Sequence, residues 1–147
     1  MKGKIVSVHI SENKGEPKHP IPVGTLHREY GMVGDAHAGT SGHRQVSLLA
    51  VESVDKLRAH LPDIAPGAFA ENLLTEGIVL YDLPIGTRLQ IGGALCEVTQ
   101  IGKACHDQGC AIRRQVGDCV MPREGIFVRV LEDGQVQVGD EITVLVS

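Results

Sequence analysis

The chain has 147 residues, of which 42% are hydrophobic and 22% charged, as expected for one globular domain with a sizeable core. No apolar run approaches the roughly 20 residues of a membrane-spanning helix, and the N-terminus enters a strand pattern without the apolar stretch of a signal peptide. The net charge of -4 and the lack of a basic block argue against nucleic-acid binding. We therefore predict a cytoplasmic protein in which residues 1–147 form a single domain and the cysteines are reduced.

The first half of the chain alternates strand patterns with polar, glycine-rich or proline-rich loops. The patterns predict a strand at 4–10, a loop at 11–22, a weaker strand at 25–29, an irregular loop at 31–42, a short strand at 45–49 and the main helix at 50–60. The helix is expected because Val51, Val54 and Leu57 recur at helical spacing. It ends before Leu61 because a residue that precedes proline disfavours the helical region.

The second half consists mainly of short strand patterns. We predict a turn or short helix at 66–72, apolar pieces at 73–75 and 78–80, strands at 88–91 and 95–101 around a Gly-Gly hairpin turn, a short helix at 111–116, and strands at 126–131, 136–138 and 142–146. Residues 125–140 are interpreted as a barrel hairpin with turn glycines. Together these elements predict a mainly β fold, a closed or partly closed β-barrel with one main helix and a few short helices.

The segment at 102–110, Gly-Lys-Ala-Cys-His-Asp-Gln-Gly-Cys, is the leading candidate for chemistry. A nearby cation favours the thiolate, which is the nucleophilic and metal-binding form of cysteine, and Lys103 and His106 flank Cys105. Cys110 is the second candidate thiol, because it opens the helix predicted at 111–116. This segment is suited to sulfur chemistry or to holding a soft metal.

A second group of polar residues surrounds glycines in the loop at 31–44. Asp35, His37, His43 and Arg44 supply an acceptor, a switchable donor and an anion clamp, and glycine lets the backbone approach a ligand closely. The alternative is a solvated loop in which Asp35 only caps a turn. The spacing does not separate these two interpretations.

Other polar residues also have both a structural and a functional interpretation. Asn72, after Glu71, could bind a ligand or cap a turn, and Arg129 could point away from the apolar positions of its strand. Cys96 lies inside a strand pattern and is interpreted as a packed residue, whereas the role of Cys119 is left open.

Zinc is a weaker alternative. Cys105, His106 and Cys110, with His37 or His43, could form a tetrahedral set. Their spacing is not a common structural zinc pattern, and paired Cys-x-x-Cys motifs are absent from the sequence. We therefore regard zinc as an unlikely ligand.

These motifs, in this order, resemble the MOSC domain, named for the C-terminal domain of molybdenum cofactor sulfurases. The matching pieces are Gly-Asp-Ala-His at 34–37, His-Arg-Gln-Val-Ser-Leu at 43–48, Pro-Gly-Ala-Phe-Ala-Glu-Asn-Leu at 66–73, Leu-Pro-Ile-Gly at 83–86, Ile-Gly at 91–92, Thr-Gln-Ile-Gly-Lys-Ala-Cys at 99–105, Gly-Ile-Phe at 125–127 and Val-Gly-Asp at 138–140. The chain resembles the stand-alone bacterial form.

The resemblance implies a MOSC-type β-barrel and a role with the molybdenum cofactor, a pterin dithiolene that carries a phosphate. It implies that Cys105 carries sulfur as a persulfide or binds the metal, with His106 and Lys103 tuning its pKa. Asp35, His37, His43, Arg44 and Asn72 would then hold the pterin and phosphate. A cysteine desulfurase and a molybdoenzyme are the implied protein partners, and pyridoxal phosphate is not expected in this domain.

Two other functions are open at this stage. One is a molybdenum-dependent reductase of N-hydroxylated compounds, as in the amidoxime-reducing relatives. The other is a non-catalytic carrier or chaperone of the cofactor, in which Cys105 only anchors the metal.

Overall fold

The computed structural model describes residues 2–13, 18–36, 38–39, 45–55, 71–102 and 124–145. Within these ranges the strands are β1 (Lys2–Ile10), β2 (His19–Pro20), β3 (Val23–His27), β4 (Gly31–Met32), β5 (Val46–Ala50), β6 (Leu73–Glu76), β7 (Arg88–Ile91), β8 (Ala94–Ile101), β9 (Ile126–Glu132), β10 (Gly134–Gln137) and β11 (Glu141–Leu145). The helices are α1 (Val51–Asp55) and a 3-10 helix at Leu80–Asp82. Within the described ranges, neither helix has the length and apolar character that crossing a bilayer requires.

Seven strands form a closed barrel in the order β11-β7-β8-β9-β5-β6-β1, which the pairing of β1 with β11 completes. Within the barrel, β5 and β6 are parallel and the remaining neighbours are antiparallel. Closure of this kind pairs each barrel strand on both sides. The prediction of a mainly β, barrel-type fold is confirmed.

The interior of the barrel is aliphatic. Inward-facing positions of every long strand are buried, for example Leu48 in β5, Leu73 in β6, Leu89 in β7, Val128 in β9 and Ile142 in β11. Buried residues alternate with less buried ones along β7 and through most of β8, as the pleat of a strand requires, whereas β5 is buried at every position. The packed interior makes the barrel a rigid frame for the loops at its ends.

Two strands that flank a Gly-Gly turn form the hairpin that the sequence predicts. β7 pairs with β8 from Arg88 opposite Glu97 to Ile91 opposite Ala94. The main helix begins at Val51 and is described as far as Asp55. The rest of the predicted helix, positions 66–70 of the turn or short helix predicted at 66–72, and the helix predicted at 111–116 lie outside the described residues.

The hairpin predicted within residues 125–140 is wrong. β9 pairs with β8 and β5, whereas β10 joins β3 and β4 in a separate three-stranded sheet. Asp133 separates β9 from β10, and its carboxylate accepts hydrogen bonds from Arg28 N at 2.6 Å and from His27 Nδ1 at 3.0 Å. These contacts hold the chain against the end of β3 and direct β10 into the smaller sheet.

Candidate functional site

Buried polar side chains collect around the C-terminal end of β1. This β1-end cluster consists of His9, Ser11, Lys18, Asp35, Ser47, Glu71 and Asn72. Burying polar groups is unfavourable unless each finds a hydrogen-bond partner, so a concentration of them at one end of an aliphatic barrel needs a specific arrangement. The segments that carry His37, His43 and Arg44 lie next to members of this cluster in the sequence.

Asp35 is held in a buried ion pair. Its Oδ1 accepts hydrogen bonds from Lys18 Nζ at 2.7 Å and from Ser11 N at 3.0 Å, and Lys18 Nζ also donates to Ser11 Oγ at 3.1 Å. Neither the Lys18 nor the Asp35 side chain is exposed to solvent. The carboxylate therefore fixes the glycine-rich loop to the end of β1.

The backbone on both sides of His37 is also anchored. Ala36 N donates to Ser11 O at 2.8 Å, and Ala38 N donates to Asp35 O at 3.2 Å. His37 itself, like His43 and Arg44, lies outside the described residues. The described part of the loop thus shows how Asp35 supports this region, and the ligand contacts of the three neighbouring residues stay predictions.

Asn72 bridges three strands from a buried position. Its Oδ1 accepts hydrogen bonds from Ser47 N at 3.0 Å and Ser47 Oγ at 3.3 Å, and its Nδ2 donates to His9 O at 3.1 Å. Its own backbone N donates to Ser47 Oγ at 3.0 Å. The side chain thereby ties the start of β6 to β1 and β5.

Asp35 and Asn72 are brought together through β1. Asp35 contacts Ser11, and Asn72 contacts His9, two residues earlier on the same strand end. The sequence identified both residues but missed Lys18 and His9, which complete the cluster. No local signal could have revealed Lys18, because its partner Asp35 is 17 residues away and only the fold buries the pair.

The segment that carries the candidate thiols starts and ends at one point on the barrel. Gly102 N donates to Gly125 O at 2.6 Å, and Gln100 Nε2 donates to Gly102 O at 2.6 Å. Ser53 Oγ in α1 donates to Glu124 Oε1 at 2.7 Å. The described residues on either side of positions 103–123 therefore lie next to each other, at the end of β8 and before the start of β9. The candidate residues of this segment lie outside the described residues: Lys103, Cys105, His106, Cys110 and Cys119.

The root of this segment lies near one member of the β1-end cluster, because Ser47 pairs with Phe127 and Phe127 pairs with Gln100. Ile126 pairs with both Leu48 and Ile101, so β8 runs parallel to β5 and ends where β5 ends. β1 runs antiparallel to β6, and β6 is parallel to β5, so Ser11 lies where β5 begins. The described residues alone do not bring Cys105 together with Asp35 and Asn72.

Two further candidates are structural within the described residues. Cys96 is fully buried in β8, and burial raises the pKa of its thiol to about 12, which confirms the interpretation of Cys96 as a packed residue. Arg129 pairs with Glu97 at 3.0 Å and with Glu29 at 3.6 Å on the half-exposed side of β9. In the described part of the chain, no group of three or more His, Cys, Asp or Glu side chains could hold a metal ion.

Comparison with known proteins extends this picture. The family model of the MOSC domain matches residues 33–143. The structure is similar to YuaD from Bacillus subtilis, with a TM-score of 0.80, 22% identity and coverage of 97% of this chain and 94% of that chain. It is also similar to YiiM from Geobacillus stearothermophilus, with a TM-score of 0.74, 21% identity and coverage of 98% and 75%.

YiiM from Escherichia coli is similar as well, with a TM-score of 0.68, 20% identity and coverage of 100% of this chain and 71% of that chain. A comparison with curated protein sequences gave no match. At these identities the structural similarity establishes the fold, whereas the family match covers both the glycine-rich loop and the cysteine segment. The chain therefore belongs to the MOSC domain family.

Proposed function

We propose that this protein binds the molybdenum cofactor and handles sulfur at the metal through Cys105. The MOSC family is associated with the molybdenum cofactor. The observation that carries the proposal is the hydrogen bond from Gly102 N to Gly125 O, which joins the two barrel positions on either side of the loop sequence that carries the thiols. Such loops on rigid scaffolds are where binding and catalytic residues concentrate.

The donor set of the undescribed segments suits this cofactor. Lys103, His43 and Arg44 supply positive charge for an anionic, phosphate-bearing ligand, and a cysteine thiolate is a soft ligand suited to a soft metal. Lys103 and His106 would favour the thiolate of Cys105, and Cys110 would be the second thiol. When bound, the cofactor would supply the metal centre that accepts sulfur.

Asp35 and Asn72 are proposed to support the cofactor site through their neighbours. The Asp35 carboxylate is fully buried against Lys18, and Asn72 is 1% exposed with its amide engaged by Ser47 and His9. Both would place the adjoining loops, including the predicted ligand residues at 37, 43 and 44. The pairing of Ser47 with Phe127, and of Phe127 with Gln100, supports a site shared by the cysteine segment and the glycine-rich loop.

The sulfur step needs an external persulfide donor, for which a cysteine desulfurase is the proposed partner. The Cys105 thiolate attacks the outer sulfur of the donor persulfide, a new S–S bond forms on Cys105, and the donor cysteine leaves as a thiolate. A molybdoenzyme would be the final recipient. Pyridoxal phosphate would belong to the donor and not to this domain. A thiol with this role needs a reducing compartment, which supports the cytoplasm as its location. The pairing of β1 with β11 supports residues 1–147 as one domain.

The test is retention of molybdenum by protein incubated with isolated cofactor and then desalted. We expect wild-type protein to retain molybdenum and Cys105→Ser to lose it, and Cys110→Ser shows whether the second candidate thiol also contributes. Incubation with a persulfide donor should add one sulfur to wild-type protein and none to Cys105→Ser, as read by intact mass. Sulfur loading of Cys105→Ser at the wild-type level would refute the assignment.

The same samples separate the other functions. Reduction of an amidoxime by the molybdenum-loaded protein with an added reductant would identify a reductase. Cofactor retention without sulfur loading or reduction would identify a carrier. Stoichiometric zinc in place of molybdenum would support the zinc alternative.

A further inference from the structure

Ser7 and His9 in β1 form a hydrogen-bonded pair that the proposed cofactor role does not use. Ser7 Oγ lies 2.7 Å from His9 Nε2, and His9 Nδ1 lies 3.0 Å from the backbone carbonyl oxygen of Glu71. The imidazole is fully buried, whereas Ser7 is partly exposed. A serine within reach of an imidazole that a third group orients is the arrangement of an activated nucleophile.

The contacts of the ring determine where its proton lies. A backbone carbonyl can only accept a hydrogen bond, so Nδ1 must carry the proton. In the neutral ring Nε2 is then a bare acceptor, and the Ser7 hydroxyl donates to it. Burial is the main cause that lowers the pKa of His9 below its usual value, and Lys18 and His19 lower it further, whereas the Glu71 hydrogen bond opposes the shift. The ring is therefore neutral at pH 7 and able to accept a proton.

The surroundings of the ring also limit competing proton acceptors. The Lys18 ammonium faces Asp35 at 2.7 Å and has no lone pair to offer, His19 is exposed in β2, and the buried Glu71 presents its backbone carbonyl to His9. The hydroxyl proton of Ser7 thus has a defined acceptor at Nε2.

A β-bulge in β1 turns Ser7 away from the barrel interior. The register with β6 shifts between Ile5 and Ser7, so Val6 is an extra residue on β1. Ile5 and Val8 face the aliphatic core, and Ser7 and His9 take the opposite side. Bulges redirect side chains in this way and occur often beside active sites.

We propose that Ser7 and His9 form a nucleophile–base pair in which Ser7 accepts an acyl group from small activated carboxylic esters. Ser7 Oγ attacks the carbonyl carbon and its proton passes to His9 Nε2, while Nδ1–H stays bonded to the Glu71 carbonyl. The ester C–O bond then breaks, and the leaving alcohol takes the proton from Nε2. The product is an acyl ester of Ser7, and no oxidant or metal is needed.

The test is labelling with an alkyl fluorophosphonate, which forms a bond from phosphorus to a reactive serine oxygen as the P–F bond breaks. Wild-type protein should be labelled at Ser7, as mapped by peptide mass spectrometry, and Ser7→Ala should not be labelled. His9→Asn keeps a nitrogen donor for the Glu71 carbonyl but has no counterpart of Nε2. Loss of a general base should slow labelling about 100-fold in this variant. Thr25→Ala, which removes an exposed hydroxyl from β3, is the matched control and should label like the wild type.

A hydrogen bond that only satisfies a buried histidine would give different results. The proposal predicts that the labelling rate of wild-type protein rises with pH through a midpoint below 6.5, because the pKa of His9 is lowered and its neutral form is the base. With unfolding midpoints showing that each variant is folded, the proposal is overturned by either of two results. The first result is that wild-type protein is labelled no faster than Ser7→Ala. The second is that Ser7 is labelled in His9→Asn at the same rate as in the wild type.

Discussion

At the scale of single residues, the β1-end cluster shows how buried polarity is made tolerable. Lys18 and Asp35 are both removed from water, and each is the other's partner at 2.7 Å. Breaking such a pair by removing one member is strongly destabilising because the remaining charge stays buried. The ion pair is therefore needed to hold the loop that leads to His37 in its position.

Replacing Lys18 with methionine keeps a long side chain and removes its charge. We expect this change to lower the free energy of unfolding by about 3–5 kcal/mol, because the Asp35 carboxylate loses its buried partner. The measurement is the midpoint of urea unfolding. The double variant Lys18→Met/Asp35→Leu should recover part of the loss, and a single variant as stable as the wild type would contradict the argument.

Thr75, unlike Lys18 and Asp35, is a buried polar residue without a described partner. In the described part of the chain its hydroxyl oxygen is buried without a hydrogen-bond partner. Valine has nearly the same shape and no group to satisfy, so Thr75→Val should raise the free energy of unfolding by about 1 kcal/mol. Thr99→Val is the matched control, since Thr99 Oγ1 donates to Phe127 O at 3.2 Å and its loss should be destabilising. Both changes can be read from urea midpoints, and destabilisation by Thr75→Val would refute the account.

At the scale of elements, Asn72 joins strands that are distant in the sequence. Its side chain links β5 through Ser47 and β1 through His9, where the parallel pairing of β5 and β6 begins. Asn72 therefore stabilises the barrel in the absence of a ligand. Its effect on ligand binding would follow from the position of the strand ends.

Asn72→Ala separates support of the frame from direct ligand contact. We expect the ligand-free protein to lose about 2–3 kcal/mol of unfolding free energy, because several buried hydrogen bonds disappear and their partners stay buried. Thermal and urea unfolding without cofactor measure this loss. Asn13→Ala, at an exposed loop position, serves as a comparison. Unchanged stability together with lost molybdenum retention would instead indicate that Asn72 contacts the ligand.

At the scale of the whole molecule, a closed barrel holds a second, three-stranded sheet against its side. Glu29 N donates to Val130 O at 3.0 Å, and Gly93 N donates to Gln135 O at 3.0 Å. A Cβ on Gly134 would overlap the carbonyl of Gly93, so only glycine permits this approach. The smaller sheet and the barrel therefore depend on one another.

The stability of the whole fold should depend on pH through His9. Its pKa is lowered in the folded state, chiefly by burial, so below pH 6.5 the unfolded chain binds a proton that the folded protein does not. This contribution is fully present above pH 6.5 and is lost as the pH falls towards the lowered pKa. The thermal midpoint should drop over that range, and His9→Gln should show a shallower drop. Identical pH profiles for both proteins would contradict the assignment.

Much of the fold could be predicted because strand patterns are local. The alternation in 88–91 and 95–101 and the glycines between them specify a hairpin without distant information, and the structure shows it. The hairpin predicted within residues 125–140 is wrong because its sequence also suits two separate strands. Asp133 and its contacts with Arg28 and His27 decide between the two.

The candidate site, like the fold, has features that the sequence predicts and features that only the tertiary structure determines. The sequence alone determined the family motifs and the residues that could carry chemistry, because both depend only on residue type and spacing. It also predicted that the cysteines are reduced. Only the tertiary structure decided that Asp35 is paired with Lys18, that Asn72 links three strands, and that Ser7 donates to His9. Burial and long-range hydrogen bonding determine these roles, and both arise when distant segments are brought together.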